Sequence, residues 1–186
     1  VHLAEMYTKL PDYFGILPKA GLEVKRVEAF RETAGGAAHY RRGTKDDSRP
    51  GTFYVHLADM RAVAVNRLEN LSYHEGVPGH HMQRSIQTEL ENIPDFRTNG
   101  GYTAYTEGWG LYAELLGKEM GGYKDPFSDM GRLSGELWRA VRLVVDTGIH
   151  AKNWTQADAV DYALANSPRP DSSVRSEVRR YFNNPG

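Results

Sequence analysis

The chain has 186 residues and a formal net charge of -1, with 40% hydrophobic and 25% charged residues. These values are typical of a globular domain; they exclude a disordered chain and give no support to nucleic-acid binding driven by bulk charge. Cysteine is absent, which excludes thiol catalysis, disulfides and Cys-ligated zinc. No apolar run approaches the roughly 18 residues of a transmembrane helix, so no membrane span is expected in this segment.

The first 60 residues are predicted to be rich in strands. A short helix followed by a loop is predicted over 1–19. Alternating apolar and polar residues, or β-forming residues, predict strands at 22–30, 37–41 and 52–57. A Gly-Gly turn at 35–36 follows the first of them, and the last is a candidate edge strand.

From about Arg61 to residue 186 the chain is predicted to be helical. The helices are expected near 61–76, 80–91, 103–120, 127–151, 155–166 and 171–182. Thr155, with Asp158 three residues later, has the pattern of a helix cap. The predicted fold class is therefore α+β: a mostly helical, single catalytic-type domain or subdomain with a small antiparallel sheet at its N-terminal side.

The segment 73–83 carries three of the seven histidines, and Glu75 directly follows His74. In helical zinc hydrolases two histidines one turn apart bind the metal, and the adjacent glutamate is the general base. Here the fourth residue after His74 is Pro78, so the usual four-residue spacing is not met.

Pro78-Gly79 offers a way to bring a second histidine close, because this pair can bulge or break a helix. A two-residue bulge would bring His80 to the ligand position, whereas His81 would need three, so His80 is preferred. The alternative is a helix that ends at Pro-Gly, with these histidines as surface or capping residues.

A second helix is expected to supply a carboxylate ligand. Glu107 and Glu114 are seven residues apart and share one face of the predicted helix. A His-His-Glu site needs its glutamate from such a helix, and Gly108, which lacks a side chain, would allow close approach. The alternative is that both glutamates are solvated helix charges.

These motifs together resemble a known family. The sequence is similar to the bacterial DUF885 proteins in His74-Glu75-x-x-Pro78-Gly79-His80-His81, in Glu107-Gly108-Trp109-x-x-Tyr112-x-Glu114, and in the segments 51–55, 137–150 and 177–181. The resemblance implies a zinc metallopeptidase with a zincin-like sheet beside its metal-binding helix pair, because Glu107-Gly108-Trp109 is similar to the third-ligand segment of gluzincin aminopeptidases. It also implies an exported or periplasmic protein, although this segment carries no signal.

The resemblance covers only the C-terminal part of family members. Since the chain begins at Val1 without an initiator methionine, we expect a piece of a longer protein. Family members typically continue, beyond the position of Gly186, into a segment that contains Gln and Tyr.

The helix predicted at 127–151 carries a polar stripe on an otherwise apolar surface. Arg139, Arg142, Asp146 and His150 follow one another at spacings of three, four and four. If the stripe lines a cleft, Arg142 would bind a substrate carboxylate and His150 would donate to a developing oxyanion. Tyr181 is a weaker candidate oxyanion donor and is counted among the substrate-binding residues. The alternatives are an Arg142–Asp146 ion pair and a packing role for Tyr181.

The strand at 52–57 is a further candidate for substrate binding. In zincin-type peptidases an edge strand beside the metal helix pairs with the extended substrate. Tyr54, in Phe53-Tyr54-Val55, would then contact the substrate. A simple sheet strand is the alternative.

The sequence thus predicts a metal-dependent hydrolase that acts on a peptide or another amide. His74, His80 and Glu107 would bind Zn²⁺, and Glu75 would take a proton from the attacking water. The other hypothesis is a noncatalytic helical interaction domain with a structural or vestigial metal site. The sequence leaves the oligomeric state open.

Overall fold

The computed structural model describes residues 1–32, 38–46, 48–58, 60 and 64–185. The strands are β1 (Leu22–Arg26), β2 (Ala38–Arg41) and β3 (Gly51–Val55). The helices are α1 (His2–Tyr13), α2 (Leu68–Glu75), α3 (His80–Glu89), α4 (Asp95–Asn99), α5 (Thr103–Glu119), α6 (Pro126–Lys152), α7 (Gln156–Asn166) and α8 (Asp171–Asn183). The chain also has two short 3₁₀ helices: Ala29–Arg31 follows β1, and Val65–Arg67 precedes α2.

The three strands form one mixed sheet in the order β1-β3-β2. β1 runs parallel to β3 and β2 runs antiparallel to it, so the prediction of an antiparallel sheet is right for only one of the two pairings. The prediction that β3 is an edge strand is wrong. Four of its five residues are buried, as is typical of a strand covered on both faces and paired on both sides.

The α+β fold class is confirmed, and most predicted elements lie close to the observed ones. Phe30, predicted in the first strand, lies in the 3₁₀ helix instead, and α4 was not predicted. The Gly35-Gly36 turn and the predicted helix start at Arg61 fall outside the described residues. The cap at Thr155 is confirmed, because its hydroxyl accepts from the backbone N–H of Asp158 while the Asp158 carboxylate accepts from that of Thr155.

Two hydrophobic clusters pack the helices against one another. The first joins α6, α7 and α8 and centres on Trp138, with Val145 and Val178 fully enclosed. The second joins α1, α2, α3 and α5 and centres on Tyr73, with Met6 and Met82 packed around it. None of the helices in the described ranges has the length and apolar character that a membrane crossing requires.

Candidate metal centre

The break between α2 and α3 places two histidines side by side. α2 ends at Glu75 and α3 begins at His80, so the predicted interruption at Pro78-Gly79 is confirmed. A Cβ on Gly79 would lie 2.0 Å from the carbonyl oxygen of His74, an approach that only glycine allows. The chain therefore passes close to the end of α2, and the rings of His74 and His80 meet with their centroids 4.6 Å apart.

Glu107 on α5 completes the cluster. Its Oε2 lies 3.6 Å from Nε2 of His74, and its Oε1 lies 3.5 Å from Nε2 of His80. One ligand atom from each of the three residues lies within 4.8 Å of the others. Since zinc ligands sit about 2 Å from the ion, atoms at these separations can meet on one ion after small shifts. The three side chains can therefore hold a metal ion.

The electrostatics of the cluster favour positive charge at its centre. Hydrogen bonds with His74 and His80 hold the pKa of Glu107 well below its usual range. Burial alone would lower the pKa of His74, but hydrogen bonds to Glu107 and Glu114 outweigh it and raise that pKa to about 9. A cation between the ligands would be attracted by the same carboxylates.

Glu114, two turns along α5 from Glu107 on the same face, orients the first histidine. Its Oε1 lies 2.7 Å from Nδ1 of His74, and both side chains are buried. A carboxylate accepts, so Nδ1 carries a proton in this contact. Nε2 is the nitrogen that would bind a metal ion after releasing its own proton, the usual arrangement behind a metal-binding histidine. The sequence placed Glu114 on the correct face without assigning it this role.

Close approach of α5 to α2 depends on Gly110. A Cβ at that position would lie 2.6 Å from Cε1 of His74. The prediction that Gly108 allows this approach is wrong, because a Cβ on Gly108 would meet nothing within 4 Å. Gly110 is three residues beyond Glu107 and therefore shares its face, whereas Gly108 lies on a different one.

Glu75 lies beside the ligands and lines the same cleft. It is only 6% exposed, and its Oε2 has no hydrogen-bond partner among the described residues. Burial is the largest influence on Glu75 and raises its pKa, against the opposing charges of His74 and His80. An unpartnered carboxylate oxygen next to a metal-binding cluster is suited to accept a proton from a water molecule.

Arg139 and Arg142, from the polar stripe of α6, reach the cleft. Nη1 of Arg139 donates to Oε2 of Glu107 at 3.1 Å, and Nη2 lies 3.4 Å from Nε2 of His74. Arg142 lines the cleft but is held by Glu177 at 2.6 Å. The stripe is therefore partly a cleft wall.

The structure does not bring His150 to the cluster. Its Nε2 lies 2.9 Å from the carbonyl oxygen of Tyr181 and 3.7 Å from the Asp146 carboxylate. It lies eleven residues beyond Arg139, or about 16 Å along the helix. The hydroxyl of Tyr181 accepts from Arg142 at 2.7 Å, so Tyr181 supports the cleft wall without lining the cleft.

Tyr54 is not at the cleft either. It lies on the central strand, is 9% exposed, and stacks on His39 at 5.1 Å between ring centroids. The strand that lines the cleft is β2, together with Arg42, which directly follows it. The expectation that an edge strand accompanies the metal helix therefore applies to β2 and not to β3.

His81 points away from the cluster into the protein. It is fully buried, and its Nδ1 lies 3.1 Å from the hydroxyl of Tyr40 and 3.3 Å from that of Ser85. Burial lowers its pKa to about 4. Of the two neighbouring histidines, the preferred His80 is the one in the cluster.

The cluster opens into a cleft of about 710 Å³. Its walls are β2, the ends of α2 and α3, residues 99–107, and α6. A cavity of this size accommodates several residues of an extended peptide or a comparable small molecule.

Comparison with known proteins identifies relatives of unassigned activity. The family model "Bacterial protein of unknown function (DUF885)" matches residues 1–186. A solved structure, "The crystal structure of the putative lipoprotein from Colwellia psychrerythraea", matches with 39% identity and a TM-score of 0.96. The match covers 100% of this chain and 32% of that one, so the chain spans about a third of that protein. No curated protein is significantly similar.

Proposed function

The chain belongs to the DUF885 family of bacterial proteins, and from that premise we propose that its cleft is the active site of a zinc-dependent peptidase. The observation that carries the proposal is the combination of a His74–His80–Glu107 cluster with a buried Glu75 carboxylate that has one unpartnered oxygen. The cluster and the carboxylate would act in one reaction, because metal-dependent hydrolysis needs both a bound ion and a nearby base.

The residues present fit a zinc ion. Two imidazoles and one carboxylate are the ligand set of many catalytic zinc sites, and imidazole favours zinc over magnesium. The hydrogen bond to Glu114 holds the Nδ1 proton of His74, so Nε2 would be the coordinating atom after it releases its own proton. When bound, the ion would polarise the scissile carbonyl and lower the pKa of a water molecule.

Glu75 is proposed as the general base and then the general acid. Its unpartnered oxygen would accept a proton from the attacking water and later deliver it to the leaving amine. Burial, which raises its pKa, makes the carboxylate a better proton acceptor than a solvated glutamate.

The substrate backbone is proposed to bind along β2. This strand pairs with β3 on one side, and the described part of the sheet has no further strand beyond it. Because residues 38–42 line the cleft, an extended peptide could add to this edge with its scissile bond near the cluster. Arg142 on the opposite wall would contact the substrate, with Tyr181 holding its guanidinium in place.

Export from the cytoplasm is a further part of the proposal. It rests on the word lipoprotein in the description of the Colwellia protein. Fractionation of bacteria that express the full-length protein tests it, and recovery in the cytoplasmic fraction alone would contradict it.

The decisive experiment compares Glu75→Gln with the wild-type protein. Zinc content, measured by elemental analysis, should remain stoichiometric, while cleavage of a mixed peptide library should fall by about 10²–10⁴-fold. Glu119→Gln, an exposed change at the end of α5, is the matched control and should behave like the wild type. Unchanged hydrolysis in Glu75→Gln would remove Glu75 from the catalytic role. Zinc bound without any hydrolysis by the wild type would favour the noncatalytic interaction domain.

A further inference from the structure

Two arginines at one end of the cleft have only neutral partners. Arg42 donates to the carbonyl oxygen of Thr98 at 3.3 Å and to the side chain of Asn99 at 3.2 Å. Arg84 donates to the side chain of Gln87 at 2.9 Å and to the carbonyl oxygen of Gly100 at 3.4 Å. No carboxylate of the described residues pairs with either guanidinium, and both arginines line the cleft.

Several other arginines of the described residues are neutralised directly by carboxylates. Those that form ion pairs with Asp or Glu include Arg26, Arg132, Arg139, Arg142, Arg175 and Arg180. Arg42 and Arg84 therefore differ from these ion-paired arginines, of which Arg139 and Arg142 line the same cleft. Each keeps a full positive charge at the cavity wall without a counter-charge from the residues that the structure describes.

The two guanidinium groups also repel each other. Burial lowers the pKa of Arg84, and the positive charge of Arg42 lowers it further. An anion bound between them would remove this repulsion and gain charge-assisted hydrogen bonds, which are about twice as strong as neutral ones.

The position of the pair relates it to the metal cluster. Arg84 is four residues after His80 on α3, so the two share a face one turn, or about 6 Å, apart. An extended peptide advances about 3.3 Å per residue, so this distance is spanned by about two residues. Arg42 directly follows β2, the strand proposed to pair with the substrate.

We infer that Arg42 and Arg84 form a carboxylate-binding subsite, so that the protein prefers substrates with a carboxylate about two residues from the cleaved bond. The inference rests on the proposed function and adds a substrate class to it. The carboxylate could come from an Asp or Glu side chain or from the C-terminus of the peptide, since both present the same group to a guanidinium fork.

A purely structural role is the competing explanation, because both arginines hold the segment 98–100. Gln87 provides the matched control. Its amide donates to the carbonyl oxygens of Arg97 at 2.6 Å and Gly100 at 3.0 Å, so Gln87→Ala disturbs the same segment. The change also removes an acceptor of Arg84 but leaves the charge of the cleft unaltered.

The test measures binding and not turnover. Zinc-loaded Glu75→Gln protein is titrated calorimetrically with three N-acetylated peptides of equal length: a neutral C-terminal amide, an amide with one internal Asp, and a neutral peptide with a free C-terminus. At least one carboxylate peptide should bind 10-fold or more tightly than the neutral amide, as expected for a charge-assisted contact of about 1.5 kcal/mol or more. The peptide that gains identifies the source of the carboxylate.

In the Glu75→Gln protein, a second change of Arg84→Gln or Arg42→Gln should reduce the preference for the carboxylate peptide over the neutral amide to about threefold or less. Gln87→Ala in the same protein should retain that preference. Equal binding of all three peptides, or persistence of the preference in both arginine variants, would overturn the subsite. Failure of the proposed function would look different: the wild type would cleave no peptide although the preference for a carboxylate remained.

Discussion

Glu114 on α5 and His74 on α2 form a buried hydrogen bond of 2.7 Å that spans forty residues of sequence. The bond joins the two helices that carry the first histidine and the glutamate of the cluster. It sets both the orientation of the ring and the nitrogen left free for a metal.

Replacement of Glu114 by Gln should weaken zinc binding by about 10–100-fold, because the amide loses the negative charge that supports the imidazole. Competition against a chromophoric chelator measures the affinity. Glu119→Gln, on the exposed end of the same helix, should leave it unchanged. An unaltered affinity in Glu114→Gln would mean that the His74–Glu114 contact plays no part in metal binding.

Two glycines of α5 provide a matched pair. Gly110→Ala should lower the free energy of unfolding by about 1–3 kcal/mol and weaken zinc binding, because the new methyl group would press on the ring of His74. Gly108→Ala, which meets open space, should stabilise the helix by about 0.5–1 kcal/mol. Urea unfolding of both variants tests the contrast, and equal effects at the two positions would contradict it.

His150→Ala should leave zinc content and turnover close to those of the wild type. The ring contacts the Tyr181 carbonyl and lies three turns of α6 beyond Arg139, so its loss should cost only about 0.5–1.5 kcal/mol of stability. Peptidase assays and chemical unfolding check this. A drop in kcat of about 10²-fold with intact zinc would restore the oxyanion role that the sequence predicted.

Glu177 should make the stability depend on acid pH. Burial raises its pKa, but a hydrogen bond from Arg180 and the charge of Arg142 prevail and lower it from 4.5 to about 2. The contribution is therefore fully present above pH 4.5 and is lost as the pH falls towards 2. After allowance for solvent screening of this partly exposed group, it should be on the order of 1–2 kcal/mol.

Urea unfolding of the wild type and Glu177→Gln between pH 2.5 and pH 6 tests this pH range. The variant should lose that part of the pH dependence, and Glu91→Gln, on an exposed residue, should retain it. Parallel curves for the wild type and Glu177→Gln would show that the ion pairs with Arg142 and Arg180 do not stabilise the fold.

The helices and the candidate ligands could be predicted because their signals are local. Helical periodicity located α5, α6, α7 and α8 to within about two residues, and the Pro-Gly pair located the interruption before His80. The choice of His80 over His81 followed from counting residues across that break. The resemblance to DUF885 proteins tied the separate motifs into one expected site.

The sheet order and the long-range contacts could not be read from local patterns. Strand β3 pairs on both sides, and its nearly continuous apolar run was the available signal for a central strand. Nothing in the spacing of His150 reveals that the stripe of α6 leaves the cleft after Arg142. The surroundings of His150 depend on where α8 packs against α6. This packing involves residues about thirty positions away in sequence, such as Tyr181.

Each of the two hydrophobic clusters supports a different part of the candidate site. The helices that carry His74, His80 and Glu107 pack around the hydrophobic cluster of Tyr73. Arg142 lies on α6, which packs on α7 and α8 in the other hydrophobic cluster. Substitutions at Val174 or Val178 on α8 would therefore shift the arginine wall while the ligand-bearing helices keep their packing. If the proposed function holds, natural or directed variation in α7 and α8 would alter which substrates are accepted without any change in the residues that would hold the ion.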